Sequence, residues 1–411
     1  MNLGEGNAQL ADDDMDDGGY VGGQRFELFS DSGEADIHLA RLRGWGFTLL
    51  RFVFTWEALE HAGPKKYDED FISHLILVLQ KCKAHGFLVF LDPHQDVWSR
   101  FTGGSGAPYW TLLACGINPR SLTATQAALI HNEYPTPAQP DPANFPAMIW
   151  GTNYSRLASQ TLFTLFFAGR DFAPKCIIDG VNIQDYLQSH FIGAVSHLAR
   201  RIKEAGGLLD ECVLGWDSMN EPFEGMVGYE DLRRIGASQA LKKGSCPTPA
   251  QGMRLGMGMK QDDIEWWDFG SFGPRRNGSV DIDPNGVRLW VDPEVADEID
   301  GVNGRWGWKR SKEWELGKCI WALHGVWDPS KSTPNGVSRL SSTAGATEVK
   351  DIDILIPDYF LYSPSSEGMG DVPGGKDKVA FVEDYLLPHM RDYFSALRAH
   401  HPELIPFIQP P

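Results

Sequence analysis

The chain has 411 residues and carries 55 acidic against 37 basic side chains, which gives a formal net charge of −18 at pH 7. This acidic balance argues against nucleic acid as a partner and against electrostatic docking on anionic membranes. No stretch approaches the ~20 apolar residues of a transmembrane helix and the N-terminus lacks a signal-peptide pattern, so a cytoplasmic or vacuolar location is expected. The six scattered cysteines are expected to be reduced and buried.

The predicted elements alternate between helices and short apolar strands. Buried parallel strands read as continuous apolar runs, and the strands here follow helix-like segments. The succession therefore predicts an α/β protein with a parallel sheet. In chain order the pattern predicts the tail of a strand at 2–4, a helix at 33–43, a strand at 46–54, a helix at 67–85, strands at 86–91 and 212–218, a helix at 379–400 and a strand at 404–409.

Three of these strands bring polar side chains to one edge of the predicted sheet. Arg51 lies inside the first strand, His94 and Asp96 follow the second, and Asn220 and Glu221 follow the third. In α/β barrels the carboxyl ends of the strands carry the catalytic groups. Glu221 is therefore predicted to be a general acid/base, with Asn220 beside it as a hydrogen-bonding partner for substrate. A solvated turn glutamate and structural ion pairs are the alternatives.

Other kinds of site find little support in the spacing of the residues. The order Asp-Pro-His-Gln-Asp at 92–96 suggests metal ligands, but the proline breaks the period and no second histidine cluster follows. The sequence contains no C-x-x-C pair, phosphate-binding loop, dinucleotide fingerprint or nucleophile elbow. It therefore predicts neither a metal ion nor a cofactor.

Several long stretches resemble glycoside hydrolase family five. More narrowly, they resemble its endoglycoceramidase-related branch, which includes the fungal glucosylceramide and steryl β-glucoside hydrolases. Long matches of this kind are far more specific than the tripeptide Asn-Glu-Pro by itself. The resemblance runs from about residue 2 to the end of the chain and is carried by residues 49–64, 92–100, 103–108, 220–222 and 319–327.

The resemblance implies a (β/α)₈ TIM barrel and a retaining mechanism, in which the two catalytic carboxyl groups lie about 5 to 5.5 Å apart. Position by position, it implies that Glu221 is the acid/base and that Asn220 contacts the sugar 2-hydroxyl. It also implies that His94 and Asp96 bind hydroxyl groups of the glycone. Arg51, on barrel strand two, is implied to orient the nucleophile.

The chain departs from the family after barrel strand five. The predicted runs match only the tail of strand one and strands two to five, and the nucleophilic glutamate of strand seven has no counterpart. We expect a partial barrel over 1–411, truncated before the C-terminal strands and the β-sandwich domain, with an exposed sheet edge and inner face. An inverting mechanism with Glu57 as base, which needs about 6.5 to 9.5 Å between the carboxyl groups, ranks lower.

Two long insertions, at about 101–183 and 223–378, explain why 411 residues hold so few barrel strands. Aromatic side chains stack on sugars and cover apolar groups, so Trp98 and Tyr109, after barrel strand three, are predicted to contact substrate. For most tryptophans of the second insertion we expect packing in a core instead. These are Trp266, Trp267, Trp290, Trp306, Trp308, Trp314, Trp321 and Trp327.

The predicted function is hydrolysis of glucosylated lipids by a retaining β-glucosidase. The expected substrates are glucosylceramide or a steryl β-glucoside, and a lipid-bound substrate implies transient contact with a membrane. Two alternatives stay open from the sequence. One is a glycolipid-binding protein without catalytic activity, and the other is an endo-β-glucanase that cleaves polysaccharide.

Overall fold

The computed structural model of the chain describes residues 33–136, 138–147, 149–236, 239–332, 337–342, 345–363 and 377–409. The predicted tail of barrel strand one, at 2–4, lies outside these residues. The α-helices are α1 (Glu34–Gly44), α2 (Trp56–Glu60), α3 (Glu69–Ala84), α4 (Tyr109–Ala114), α5 (Leu157–Phe172), α6 (Ile183–Ala205), α7 (Pro249–Gly256), α8 (Ile320–Leu323) and α9 (Leu387–Arg398). The strands are β1 (Leu49–Phe54), β2 (Leu88–Pro93), β3 (Pro135–Thr136), β4 (Gln139–Pro140), β5 (Ile177–Ile178), β6 (Val181–Asn182), β7 (Val213–Asp217), β8 (Gly244–Cys246), β9 (Gln261–Gly270), β10 (Gly273–Ile282), β11 (Glu298–Ile299), β12 (Val302–Asn303), β13 (Val337–Ser342), β14 (Gly345–Lys350) and β15 (Ile405–Phe407).

A four-stranded parallel sheet in the order β1-β2-β7-β15 positions the candidate site. These strands are the predicted barrel strands two to five, and neighbours in the sheet succeed one another as they do in an α/β barrel. The register places Arg51 beside Phe90, and both Phe90 and Ile405 beside Gly215. The sheet confirms the predicted α/β class and is consistent with a (β/α)₈ barrel, of which it provides four neighbouring strands.

Helices pack on one face of this sheet. That face carries Val89, Leu91 and Trp216, which are fully buried in the same core as residues of α3, α6 and α9. Helix α6 is long and contacts α2, α3, α5 and α9. Helix α3 begins close to its predicted position because the Asp68 side chain accepts a hydrogen bond from the Phe71 backbone N–H at 2.8 Å.

The opposite face of the sheet is only partly covered. Leu49, Leu88 and Ile405 are 45%, 39% and 49% exposed. Next to them Phe90 and Phe407 stack on each other with ring centroids 4.1 Å apart. Within the described ranges, this apolar face of the sheet is therefore partly accessible to solvent.

The two insertions add helices and small antiparallel sheets to this frame. The first carries α4 and α5, and the second carries a three-stranded sheet in the order β10-β9-β8. Most tryptophans of the second insertion lie in the core, as expected, whereas Trp266 is 37% exposed. All six cysteines are buried and unpaired. The buried tryptophans are Trp290, Trp308, Trp314, Trp321 and Trp327.

Within the described ranges of the chain, no helix combines the length and the apolar character needed to cross a membrane.

Candidate active site

Glu221 lies shortly after the carboxyl end of β7, with its side chain exposed. Its backbone adopts a φ of 41°, in the left-handed region that residues with a Cβ atom rarely occupy. Such a conformation costs on the order of 1 kcal/mol and persists only where the surroundings hold it. The contacts around this residue therefore decide where its carboxylate points.

Gln95 holds the backbone of the Asn220–Glu221 segment. Its Nε2 donates to the carbonyl oxygens of Asn220 and Glu221 at 2.7 and 2.8 Å. Its Oε1 accepts from the backbone N–H of Trp98 at 3.0 Å. In return, the Asn220 Nδ2 donates to the Gln95 carbonyl oxygen at 2.7 Å. These bonds connect the loop after β2 to the loop after β7, and Gln95 thereby stabilises the strained backbone conformation of Glu221.

Arg51 and His94 meet on the buried carboxylate of Asp92. The Arg51 Nε and Nη2 atoms lie 2.9 and 2.8 Å from Asp92 Oδ2, and His94 Nδ1 lies 3.2 Å from the same oxygen. His94 Nε2 lies 3.0 Å from Asp96 Oδ2, while Arg51 Nη2 donates to Asn220 Oδ1 at 2.5 Å. The structure thus joins four of the predicted substrate-binding residues, Arg51, His94, Asp96 and Asn220, in one network. Asp92, which links them, was not among the predicted site residues.

Asn220 is well placed to orient groups but is itself almost covered. It is 3% exposed, and its amide is engaged at both ends by Arg51 and Gln95. Its Oδ1 retains a second lone pair for a sugar hydroxyl group. Contact with the 2-hydroxyl therefore stays a prediction, as do the substrate contacts of His94 and Asp96.

The charge state of His94 depends on its two carboxylate neighbours. Burial lowers the pKa of His94, but the hydrogen bonds and charges of Asp92 and Asp96 outweigh burial and raise the pKa to about 9. An unfolded histidine has a pKa of ~6.5, so the folded state binds this proton more tightly. Its stabilisation is complete below pH ~6.5 and is lost as the pH rises through 9.

We therefore expect a pH-dependent difference in unfolding free energy between the wild-type chain and the His94→Gln variant. The wild-type advantage should shrink by on the order of 3 kcal/mol as the pH rises from ~6.5 to ~9. Urea unfolding at a series of pH values measures it. His131→Gln is the matched control, because His131 is exposed and faces the amide of Asn132 rather than a carboxylate. A constant difference for His94→Gln across the range would contradict the expectation.

Tyr154 contacts the candidate catalytic carboxylate directly. It lies in the 3₁₀ segment Trp150–Ser155 of the first insertion, and its hydroxyl donates to Glu221 Oε2 at 3.3 Å. Its ring contacts Phe223, which follows the Asn-Glu-Pro tripeptide. Sequence reasoning missed Tyr154 because no motif connects an insertion residue with a strand end 67 positions away.

The structure corrects the prediction for Trp98. Its side chain is only 2% exposed and packs edge-on against Trp56, Phe163 and Phe166. Its indole N–H donates to Thr111 Oγ1 at 3.1 Å. Trp98 is thus a core residue, because a large indole is most stable when it is buried with its N–H paired. Its backbone adopts a φ of 79°.

Tyr109, the second aromatic residue predicted to contact substrate, is half-buried. Its ring packs edge-on against Phe101 at 5.0 Å and lies 6.4 Å from the ring of Trp306. These contacts hold Tyr109 between the loop after β2 and the second insertion. Its contact with substrate stays a prediction.

Glu57, the base of the lower-ranked inverting mechanism, is tied into an ion pair. It is 6% exposed, and Arg100 Nε lies 2.9 and 3.2 Å from its two oxygens. Burial raises the pKa of Glu57 to about 7, although the charge of Arg100 opposes the rise. A carboxylate that is covered and paired in this way favours a structural role over activation of a water molecule.

Comparison with known proteins agrees with this geometry. Residues 21–127 match the sequence profile of Cellulase (glycosyl hydrolase family 5). The chain is 48% identical over 378 residues to a glucosylceramidase of Aspergillus fumigatus, a match that covers 92% of this chain and 45% of that protein. It is 39% identical over 387 residues to an ergosteryl-beta-glucosidase of Saccharomyces cerevisiae, which covers 92% and 46%.

A solved structure also matches the fold. The crystal structure of Cryptococcus neoformans sterylglucosidase 1 with tris superposes with a TM-score of 0.83 and 55% sequence identity, covering 93% of this chain and 49% of that one. The chain therefore spans about half the length of the relatives it matches. Residues 21–127 thus carry a glycosyl hydrolase family 5 domain match, and the parallel sheet and the Asn-Glu-Pro strand end agree with it.

Proposed function

We propose that this chain provides the acid/base side of a retaining β-glucosidase that acts on glucosylated lipids. The observation that carries the proposal is the position of Glu221 at the end of β7, joined through Asn220 and Gln95 to the Arg51–Asp92–His94 network. The names of the similar proteins support glucosylceramide or a steryl β-glucoside as the substrate.

The residues of the chain then divide the work of a double displacement. Glu221 protonates the glycosidic oxygen as the leaving group departs, and it later removes a proton from the water that attacks the glycosyl-enzyme. His94 and Asp96 line the glycone side and bind sugar hydroxyl groups. Arg51 carries a fixed positive charge beside the point where the family places its nucleophile.

Contact with a membrane belongs to the same proposal. The hairpin β9–β10 ends in Phe272, whose side chain is fully exposed, and Arg275 and Arg276 follow on β10. An exposed aromatic ring with nearby cations suits the interface of a phospholipid bilayer, where rings lie at headgroup depth and arginine pairs with phosphate. Because the net charge of −18 opposes electrostatic attraction to anionic lipids, the contact is expected to be local and transient.

One experiment separates this function from its alternatives. The protein, as its native host makes it, is incubated with phosphatidylcholine vesicles that carry steryl β-glucoside or glucosylceramide, with plain vesicles, and with soluble β-glucan. Glucose release from the glucolipid vesicles supports the proposal, and pelleting with plain vesicles supports the membrane contact.

The other outcomes each favour a named alternative. Pelleting that depends on the glucolipid, without glucose release, favours a non-catalytic glycolipid-binding protein. Rapid release of oligosaccharides from soluble glucan favours an endo-β-glucanase. Either of these results would contradict the proposed β-glucosidase.

A further inference from the structure

Two aromatic rings form a wall beside the carboxylate of Glu221. Tyr154 and Phe223 lie with ring centroids 5.0 Å apart and both are half-buried, so each shows part of its surface to solvent. Phe163 is fully buried behind them and packs edge-on against Phe223 at 5.5 Å. We call Tyr154 and Phe223 the aromatic wall. Its backing by a core phenylalanine makes it a fixed surface rather than a pair of mobile side chains.

The position of the wall follows from the chemistry of the acid. A general acid must lie within hydrogen-bonding distance of the oxygen that it protonates, about 2.6 to 3.2 Å. In a glycoside this oxygen joins the sugar to its aglycone. Since the Tyr154 hydroxyl lies 3.3 Å from Glu221 Oε2, the aglycone leaves close to the wall. His94 and Asp96, the residues proposed to bind the glycone, contact Asp92 at the end of β2 and Asn220 in the loop after β7.

We propose that the aromatic wall is the binding surface for the leaving group, with Tyr154 as a positioning residue for the general acid. Its apolar faces take up a flat or apolar aglycone, such as a sterol ring system or the first carbons of a lipid. The Tyr154 hydroxyl meanwhile holds the Glu221 carboxyl group towards the glycosidic oxygen. This inference rests on the proposed function and adds the surface that selects the substrate.

The hydroxyl of Tyr154 is suited to this task because it keeps its proton. Burial raises the pKa of Tyr154, and the charges of Asp96 and Glu221 add to the rise although a hydrogen bond from the Val97 backbone opposes it, so the hydroxyl keeps a proton to donate at neutral pH. Gln95 Nε2 donates to the backbone carbonyl of Glu221 at 2.8 Å, and the Tyr154 hydroxyl donates to its carboxylate. Glu221 is therefore held both at its backbone and at the end of its side chain. Pre-organised geometry of this kind increases the rate because fewer orientations must be lost at the transition state.

Replacement of Tyr154 by phenylalanine tests the positioning role, since it removes the hydroxyl and keeps the ring. In the enzyme as its native host makes it, we expect kcat/KM to fall about tenfold for alkyl or steryl glucosides, which need protonation of a poor leaving group. For nitrophenyl glucoside, whose leaving group needs little protonation, we expect no change in the glycosylation step. Tyr359→Phe is the matched control, because its hydroxyl donates to the Phe172 carbonyl oxygen at 3.0 Å, a contact between the two insertions that involves none of the site residues.

Replacement of Phe223 by alanine tests the apolar surface. We expect KM for steryl β-glucoside to rise about tenfold, because a large apolar contact is lost, whereas KM for methyl glucoside, which has no extended aglycone, should rise much less. Phe223→Leu should restore most of the affinity, since a similar apolar volume returns. A loss that leucine does not reverse, or one that affects methyl glucoside equally, would overturn the assignment of Phe223.

The failure of this inference differs from the failure of the proposed function. Suppose that hydrolysis depends on Glu221 but that Tyr154→Phe slows the release of both kinds of leaving group by the same factor. The loss is then a general structural one, so the positioning role of Tyr154 is wrong while the proposed function stands. If the enzyme releases no glucose from any β-glucoside, or if hydrolysis is independent of Glu221, the proposed function is wrong and the inference fails with it.

Discussion

Replacement of Glu221 by glutamine is expected to reduce hydrolysis of glucolipids by about 10²- to 10⁴-fold, the contribution typical of a positioned general acid. The change removes the transferable proton but keeps the size of the side chain and an amide oxygen that can accept from the Tyr154 hydroxyl, as Glu221 Oε2 does in the wild-type chain. The strained backbone and its Gln95 contacts are unaffected, so the fold should be preserved. Initial rates of glucose release from glucolipid vesicles measure the effect in the enzyme as its native host makes it.

Two further measurements make this result specific to acid/base catalysis. Azide attacks a glycosyl-enzyme without help from a general base, so it should restore turnover of nitrophenyl glucoside by the Glu221 variant and yield β-glucosyl azide. Glu230→Gln is the matched control, because this glutamate is exposed and pairs with Lys378 at 3.1 Å on the surface. Full activity of Glu221→Gln would disprove the assignment of the acid/base.

Replacement of Gly104 by alanine is expected to give a large loss of stability near the site. An added Cβ atom would lie 1.9 Å from the Asp96 carbonyl oxygen, which is far inside van der Waals contact. The backbones pair there through the Asp96–Ser105 bridge, at 2.9 and 3.0 Å, so neither segment can move without breaking these bonds. Forced overpacking of this kind costs about 3 kcal/mol.

Denaturant unfolding of the Gly104→Ala variant measures the loss of stability. Sugar binding by the same variant shows whether the site is disturbed as well. Displacement of Asp96 should also weaken the His94 network, because His94 Nε2 lies 3.0 Å from Asp96 Oδ2. Gly44→Ala is the matched control, since the same methyl group meets nothing within 4 Å at the end of α1. If the two variants unfold at the same denaturant concentration, the close approach at Gly104 is not a constraint.

The arrangement of the sheet could be predicted because its signals are local. Apolar runs bounded by helix-like segments indicated β1, β2, β7 and β15 within three residues at each end. A strand buried on one face under helices must be apolar along most of its length, so its pattern is visible in the sequence. The helix expected at 379–400 was less regular, because it opens with the π-helical turn Val382–Leu386 before α9.

The candidate site was predicted in part. Strand ends converge in any parallel sheet, so Arg51, His94, Asp96, Asn220 and Glu221 could be expected at one edge from their positions alone. Their joint network depends on Asp92 and Gln95, both of which lie in the 92–96 segment but gave no signal of their own. Whether such a residue bridges loops depends on backbone directions that a one-dimensional pattern does not carry.

Trp98 and Tyr154 show the limit most clearly. Both are aromatic residues in or before the first insertion, and their sequence positions predicted substrate contact for Trp98 but not for Tyr154. The fold reverses this, since Trp98 is enclosed by Phe163 and Phe166 while the Tyr154 hydroxyl reaches Glu221. A large aromatic side chain is suited both to burial in a core and to contact with substrate. Only the residues that surround it in the fold decide which of the two it does.

The sequence by itself determined the α/β class, the order of the four sheet strands and the carboxylate at the end of β7, because each depends on residues close together in the chain. Only the tertiary structure decided which side chains hold that carboxylate. Gln95 and Tyr154 approach Glu221 from 126 and 67 residues away, and contacts over such separations arise from the packing of loops on the sheet. Local patterns specify elements, whereas the distances between non-local side chains exist only after the elements have packed.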